Sequence, residues 1–417
     1  MNSYLLIALT FSRPIRDMLA AQCLAALGTG MFSVLFNLYL KSSGYSEDLI
    51  GKLLAMQALS AALASVPLAR LADRVSRRSC YILSIVLLAA GYVLASSTTG
   101  FWPLAFAASL AGIGSGGQLV SVQPYLHEHS RRRQRTYLFS LNFTLTLTMY
   151  IVAGLLAGWL PKLAEGFGLL EAVSETERLR HCLQVGAGFS LLAVLLARRI
   201  SEPSRPQAAT RVTKTAGQDM APGPSPRLLI GRYVLTTALT GAGAGLIVPY
   251  FNLYFRDWVG SSVAEIGTVF ALSQLTTAIG GALSPLMTRR VGLAAGVTLT
   301  QLASLPFMLV MAHTHDFWLC AGSFLFRGAF MNMGIPIREQ LMMATVPPAL
   351  RASAAAAESI AWFLSWGLVM SFSGTLIMSW GYPSSLYITF GLYLTASVLF
   401  WLWFRPHASP RAATFSC

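Results

Sequence analysis

Charge is what this sequence has least of. Only 11% of its 417 residues are Asp, Glu, Lys or Arg, against about 25% in a soluble domain, which excludes a soluble enzyme with an unusual surface. Cysteine is scarce and scattered: Cys23, Cys80, Cys182, Cys320 and Cys417 form no CxxC pair and no disulfide framework. No Walker motif is present, so ATP is not the expected energy source, and with HExxH also missing no metal or cofactor is expected. Met1 to Phe11 has neither a basic n-region nor a small-residue cleavage site, and no removable signal peptide is expected. Acidic residues are few, sixteen against thirty Lys and Arg, for a net charge of +14. In a soluble protein that excess would suggest nucleic acid. Here the basic residues sit in short clusters between long apolar runs, which is a membrane pattern.

Apolar sequence is abundant: 55% of residues are hydrophobic and the mean hydropathy is +0.59. A helix crosses hydrocarbon in about 20 residues, whereas barrel strands alternate over about ten. Twelve runs have helical length, near 18–40, 49–70, 80–99, 102–126, 137–160 and 181–200, then 228–255, 263–287, 291–312, 317–343, 353–379 and 383–404. Arg70, Arg74, Arg77 and Arg78, the cluster Arg131, Arg132, Arg133 and Arg135, and Arg289 with Arg290 all fall on one side, together with both termini. The positive-inside rule makes that side cytoplasmic. Residues 201–226 are rich in Pro, Ala and Thr and have no apolar face. They are expected to form a flexible cytoplasmic linker between bundles 1–200 and 227–417.

Two sets of six helices invite a search for self-similarity. Asn37-Leu38-Tyr39-Leu40 closes the first span and Asn252-Leu253-Tyr254-Phe255 the seventh. Ile50-Gly51 matches Ile266-Gly267 at an offset of 216, which also pairs Arg135 with Arg351, Asn142 with Glu358 and Gly158 with Gly374. With twelve spans, a central linker and this repeat, the chain resembles the major facilitator superfamily of secondary transporters. That family's loop signature, roughly G-x-L-a-D-R-x-G-R-R, has its counterpart in Ala69-Arg70-Leu71-Ala72-Asp73-Arg74-Val75-Ser76-Arg77-Arg78, with both glycines replaced. The resemblance implies a cytoplasmic gating latch at Asp73, Arg74, Arg77 and Arg78. Two antiporter features are missing: the fifth span has Gly154 and Gly158 but Pro161 only at its end, and Ala108 stands where the fourth span commonly carries Arg.

Other motifs have plain readings. Gly112-Ile113-Gly114-Ser115-Gly116-Gly117 contains GxGxxG, but it lies inside a membrane run, where small residues let helices approach. His127-Glu128-His129 lacks metal-helix spacing and precedes a basic cluster, so interfacial solvation is favoured over a proton relay through Glu128.

Ionisable residues within spans are the sharper signals, each costing at least about 2.5–3.5 kcal/mol at a helix centre. Arg327 lies mid-span in the tenth run and is read as a cavity cation facing an anionic substrate or a coupling carboxylate. Glu358 lies about 10 Å into the eleventh span by helical rise, level with Arg338 and Glu339. An ion pair between Arg338 and Glu358 and a proton-coupling role are both open. Gln57, Gln118, Gln123, Asn142, Tyr150, Gln274, Asn332 and Gln340 are polar residues in spans, and Phe324, Phe326, Phe330, Trp362 and Trp366 add aromatic surface. A subset of these, with Arg327, Asn332, Gln118, Asn142, Tyr150 and Trp362 foremost, is expected to line a midplane cavity.

The sequence therefore predicts an all-α membrane protein of twelve transmembrane helices in two pseudo-symmetric six-helix bundles. The expected activity is alternating-access transport of a small organic solute across the inner membrane, coupled to protons, by a monomer with both termini cytoplasmic. The alternatives are proton-driven efflux of drug-like or lipid-like amphipathic compounds, a transporter-like sensor, or a membrane-embedded transferase. No nucleic-acid partner is expected.

Overall fold

The computed structural model describes residues 11–130, 134–166, 173–200 and 225–405. Among them every regular element is helical. The first half comprises α1 (Arg13–Ser42), α2 (Glu47–Arg74), α3 (Arg77–Ser97), α4 (Phe101–His129), α5 (Arg135–Gly166) and α6 (Glu175–Ala197). In the second half are α7 (Pro226–Ile247), α8 (Val263–Val291), α9 (Leu293–His313) and α10 (Phe317–Thr345), then a continuous stretch Arg351–Phe404. That stretch breaks at Gly381 (φ 74°, ψ 173°), which separates α11 (351–380) from α12 (382–404). Only glycine takes that φ without strain. Ten of the helices defined by length and apolarity could cross a membrane, the last of them, Ser353–Phe404, being long enough to do so twice. α10 completes the twelve; its own polar residues, Arg327 and Asn332 among them, depress its hydropathy.

Helix ends are finished locally, as they must be where amides lack intrahelical partners. Ser46, Ser76, Ser174, Ser225 and Asp316 each accept from a backbone N–H in the first turn of α2, α3, α6, α7 and α10. Ser262 and Glu265 form a reciprocal capping box on α8. The glycine run of α4 serves close packing. A Cβ on Gly112 or Gly116 would strike the carbonyls of Gln57 and Ala61 on α2, and one on Gly114 the Ser84 carbonyl on α3. The run thus sets the distance between helices.

Past Ile247 the seventh span stops being regular. Pro249 sits in a single 3₁₀ turn, Val248–Tyr250, followed by one α turn and a π turn at Tyr254–Trp258. A proline inside a helix removes a hydrogen bond and crowds the preceding turn, and π turns concentrate at functional positions.

α1 sets out from, and α12 ends on, the same face, here called proximal; the opposite face is distal. Two seams join the halves, α2 against α11 and α5 against α8. At the first, Gly374 lies on the backbone of Glu47 and Asp48, and Gly51 on the Met370 carbonyl. At the second, Gly158 lies on the carbonyls of Val263 and Ala264, and Gly267 on the Gly154 carbonyl. The 216-residue offset read from the sequence maps one seam onto the other, contact for contact. Both seams lie in the distal half of the membrane. So do the hydrogen bonds between halves: Asn37 Nδ2 to the Pro249 carbonyl (2.6 Å), Asn252 Nδ2 to the Val34 carbonyl (2.9 Å), Trp159 Nε1 to Thr268 Oγ1 (3.1 Å) and Thr375 Oγ1 to Asp48 (2.6 Å). Arg256 closes the distal rim on Glu175 (2.9 Å).

Candidate substrate cavity

Two cavities lie inside the molecule, one in each half, and Trp362, Phe363 and Trp366 of α11 line both; the first spans the middle and distal levels and the second the middle and proximal levels. The first, about 630 Å³, is walled by α1, α2, α3, α4 and α5, with Thr29, Ser33, Asn37, Gln57, Tyr92, Ser115 and Tyr150 as its polar groups. It holds no charged residue. The second, about 510 Å³, is walled by α7, α9, α10, α11 and α12, and carries Arg327, Arg338, Glu339 and Glu358 together with Thr237, Thr240, Gln301, Asn332 and Tyr393.

Two of those charges neutralise each other. Arg338 Nε donates to Glu358 Oε1 at 2.6 Å, and the same carboxylate oxygen accepts from Thr237 Oγ1 at 2.7 Å. The Arg338 Nη2 group is anchored by the Tyr233 carbonyl (2.8 Å), Thr236 Oγ1 (2.9 Å) and Thr237 Oγ1 (2.5 Å), and the guanidinium faces the Phe400 ring at 5.1 Å. Multiple donors and acceptors of this kind are what a desolvated ion pair requires. Glu339, next in sequence, lies exposed on the cavity wall.

Arg327 is different. It is only 7% exposed, and its guanidinium rests on Phe251 (4.7 Å) and Phe324 (5.6 Å), a cation–π setting. Among the described residues no oxygen accepts from it, and its Nε is buried without a partner.

The remaining sequence-derived positions divide. Tyr150, Asn332, Trp362 and Gln57 line the cavities, Asn332 also donating to Thr277 Oγ1 at 3.1 Å. Gln118 and Asn142 line neither of the two cavities. Phe326 and Phe330 stack on Phe307, away from them. Glu128 lies at the proximal face, paired with Arg77 at 3.2 Å, and Arg78 donates to the Arg198 carbonyl at 3.3 Å. Asp73 and Arg74 end α2; the Asp73 side chain, Arg131, Arg132, Arg133 and linker residues 201–224 lie outside the described residues. Thr237, Gln301 and Tyr393 are cavity residues that sequence reasoning missed. Uncharged polar residues are ordinary in membrane helices, and nothing in their spacing marks them.

This arrangement has solved counterparts. The fold matches the nucleoside transporter NupG (TM-score 0.74, 16% identity, 94% of this chain and 100% of that one). It also matches a bacterial homolog of the human lysosomal transporter Spinster in an inward-facing, occupied conformation (0.74, 16%, 96% and 100%) and a D-xylose-proton symporter (0.71, 15%, 93% and 98%). At such identities the likeness concerns the fold alone. In sequence, 131 residues are 29% identical to the inner membrane transport protein YajR of Escherichia coli strain K12, a match covering 30% of this chain and 28% of that relative. The Major Facilitator Superfamily model matches residues 18–231 and 233–415. Twelve helices, two seams related by one sequence offset and a match over nearly the whole length lead to one conclusion: this multi-pass membrane protein belongs to the Major Facilitator Superfamily.

Proposed function

We propose that the protein is a secondary transporter that moves a small organic solute across the cytoplasmic membrane by alternating access. The two moving units are 1–200 and 227–417, joined by the linker 201–226, and the proximal face is cytoplasmic. The observation that carries this reading is the pair of distal seams, with the charged second cavity extending from mid-helix to the opposite half, since a substrate held between the bundles reaches only one side at a time. Placing the clustered arginines of the 74–78 and 289–290 turns inside makes the conformation inward-open. Relatives named for nucleoside, D-xylose–proton and general inner-membrane transport support the class without fixing the cargo. The protein acts as a monomer and not as an enzyme.

Protons supply the driving force, with Glu358 and Glu339 as the candidate carriers. Asp73, with Arg74, Arg77 and Arg78, forms the cytoplasmic latch of the opposite, outward-open state. Efflux of amphipathic compounds is the second reading, favoured by the aromatic wall Trp362–Phe363–Trp366. Counterflow of labelled solutes in proteoliposomes tests transport directly. Saturable exchange against preloaded solute supports a transporter, whereas binding without exchange leaves a sensor.

A further inference from the structure

We propose that the second-half cavity binds the anionic group of an amphipathic organic acid, with Arg327 as its counter-charge. This rests on the transporter reading above and names its substrate class.

A guanidinium at mid-membrane needs a negative or strongly accepting partner, because its desolvation is otherwise uncompensated. The described residues provide none. Glu358 is held by Arg338 and Thr237. Arg338 and Glu339 follow Arg327 by eleven and twelve residues on α10, which sets their backbones about 16–18 Å further along the helix axis, and neither Glu339 nor Glu358 forms an ion pair with Arg327. The groups placed against Arg327 are the Phe251 and Phe324 rings, and it shares its cavity with the uncharged polar residues Thr240, Gln301, Asn332 and Tyr393. With no partner among the described residues, that place is assigned to the substrate.

Three features describe it. Its charge is negative and delocalised over two or more oxygens, since a planar fork of N–H donors matches carboxylate, phosphate or sulfonate geometry. The rest of it is apolar or aromatic, since the Trp362 and Trp366 rings, 5.5 Å apart, form the wall shared with the first cavity. Finally, it is larger than an inorganic ion, because cavities of about 630 and 510 Å³ meet at that wall. The acid group sits against Arg327 and the apolar body lies across the tryptophans into the uncharged first half.

Thermal-shift titration of the purified full-length protein tests this with matched probes: aryl carboxylates, aryl phosphates and aryl sulfonates, the amide or ester of each, and chloride, phosphate and sulfate. The expected result is saturable stabilisation by at least one organic anion and none by its neutral counterpart. That comparison uses only the wild-type protein. Arg327→Gln should weaken the same anion at least about 30-fold, and Arg327→Lys by a smaller factor, through loss of the two-pronged contact. Stabilisation by inorganic anions alone overturns the proposal, as does equal binding of neutral partners or an unchanged affinity in Arg327→Gln. Counterflow with the same panel separates the two readings. Exchange of neutral or cationic solutes only would overturn the anion assignment and keep the transporter, while no exchange of any solute removes the transporter itself.

Discussion

Asn37 and Asn252, which occupy equivalent places in the two sequence repeats, hydrogen-bond to each other across the molecular pseudo-twofold (Nδ2 to Oδ1, 3.2 Å). Each also donates to the backbone of the opposite half, Asn37 to Pro249 and Asn252 to Val34. Both are buried, so separating the distal ends of α1 and α7 strands both Nδ2 groups, whose acceptors all lie in the opposite half, while the Asn252 Oδ1 keeps only its bond from the Leu253 N–H. Removing the pair should therefore favour the distal-open state. Asn252→Ala is expected to cost the closed state about 1–2 kcal/mol, roughly a five- to thirty-fold shift in the population ratio. In a cysteine-free background carrying Ser33→Cys, labelling by an impermeant thiol reagent added on the distal side should rise accordingly. Unchanged labelling would show that the asparagines only pack.

The glycine seams should respond more strongly. At Gly158 a Cβ meets the Gly267 Cα and the carbonyls of Val263 and Ala264, all backbone and unable to move aside. Gly158→Leu should hold the second seam open and abolish exchange, while detergent-solubilised protein stays folded. Gly374→Leu should do the same at the first seam. A bulky residue at Gly188 or Gly391, which have open space beside them, should leave exchange near wild type and serves as the comparison.

Breaking the Arg338–Glu358 pair from one side should be costly. Glu358→Ala leaves a guanidinium with hydroxyl and carbonyl partners but no anion, and should lower stability by about 2–3 kcal/mol. Replacing both residues with Met should recover most of that loss, because paired removal leaves no orphan charge. Stability is read from thermal unfolding. Accumulation driven by a pH gradient is read separately: if Glu358 carries the coupling proton, Glu358→Gln spares exchange and loses accumulation, and intact accumulation leaves the pair purely structural.

The rim pair Arg256–Glu175 should matter little. Glu175 is half exposed, and exposed pairs contribute about 0–1 kcal/mol, less as salt rises. Arg256→Ala should change exchange less than about threefold, and the difference should vanish at high ionic strength. A large, salt-resistant effect would mean that the rim is a true gate.

All twelve spans stand within a few residues of where apolar run length places them, because crossing a bilayer leaves helix length little freedom. The repeat was equally legible, and its glycines turn out to be the contacts that join the halves. Direction around a helix was not. Gln57 and Gln118 have the same side chain, yet one lines a cavity and the other does not, and the crossing angles that decide this are collective properties of several helices. Arg327 stands out in sequence because a mid-span charge is expensive, while Thr237, Gln301 and Tyr393 carry no such mark. The change of helix type after Pro249 was hidden too, since a proline announces a disturbance without specifying 3₁₀ or π geometry.

Gly381 joins α11 to α12 with one residue, where α1 and α2 are separated by four. A link that short has no slack to absorb rotation. Any tilt that lifts Gly374 from Glu47 is handed directly to α12, and with it to Tyr393 and Phe400, which pack beside the charged cavity. α11 and α12 therefore act as one lever, loaded at the distal seam and read out at the cavity wall, while the neighbouring hairpin α1–α2 can yield at its turn.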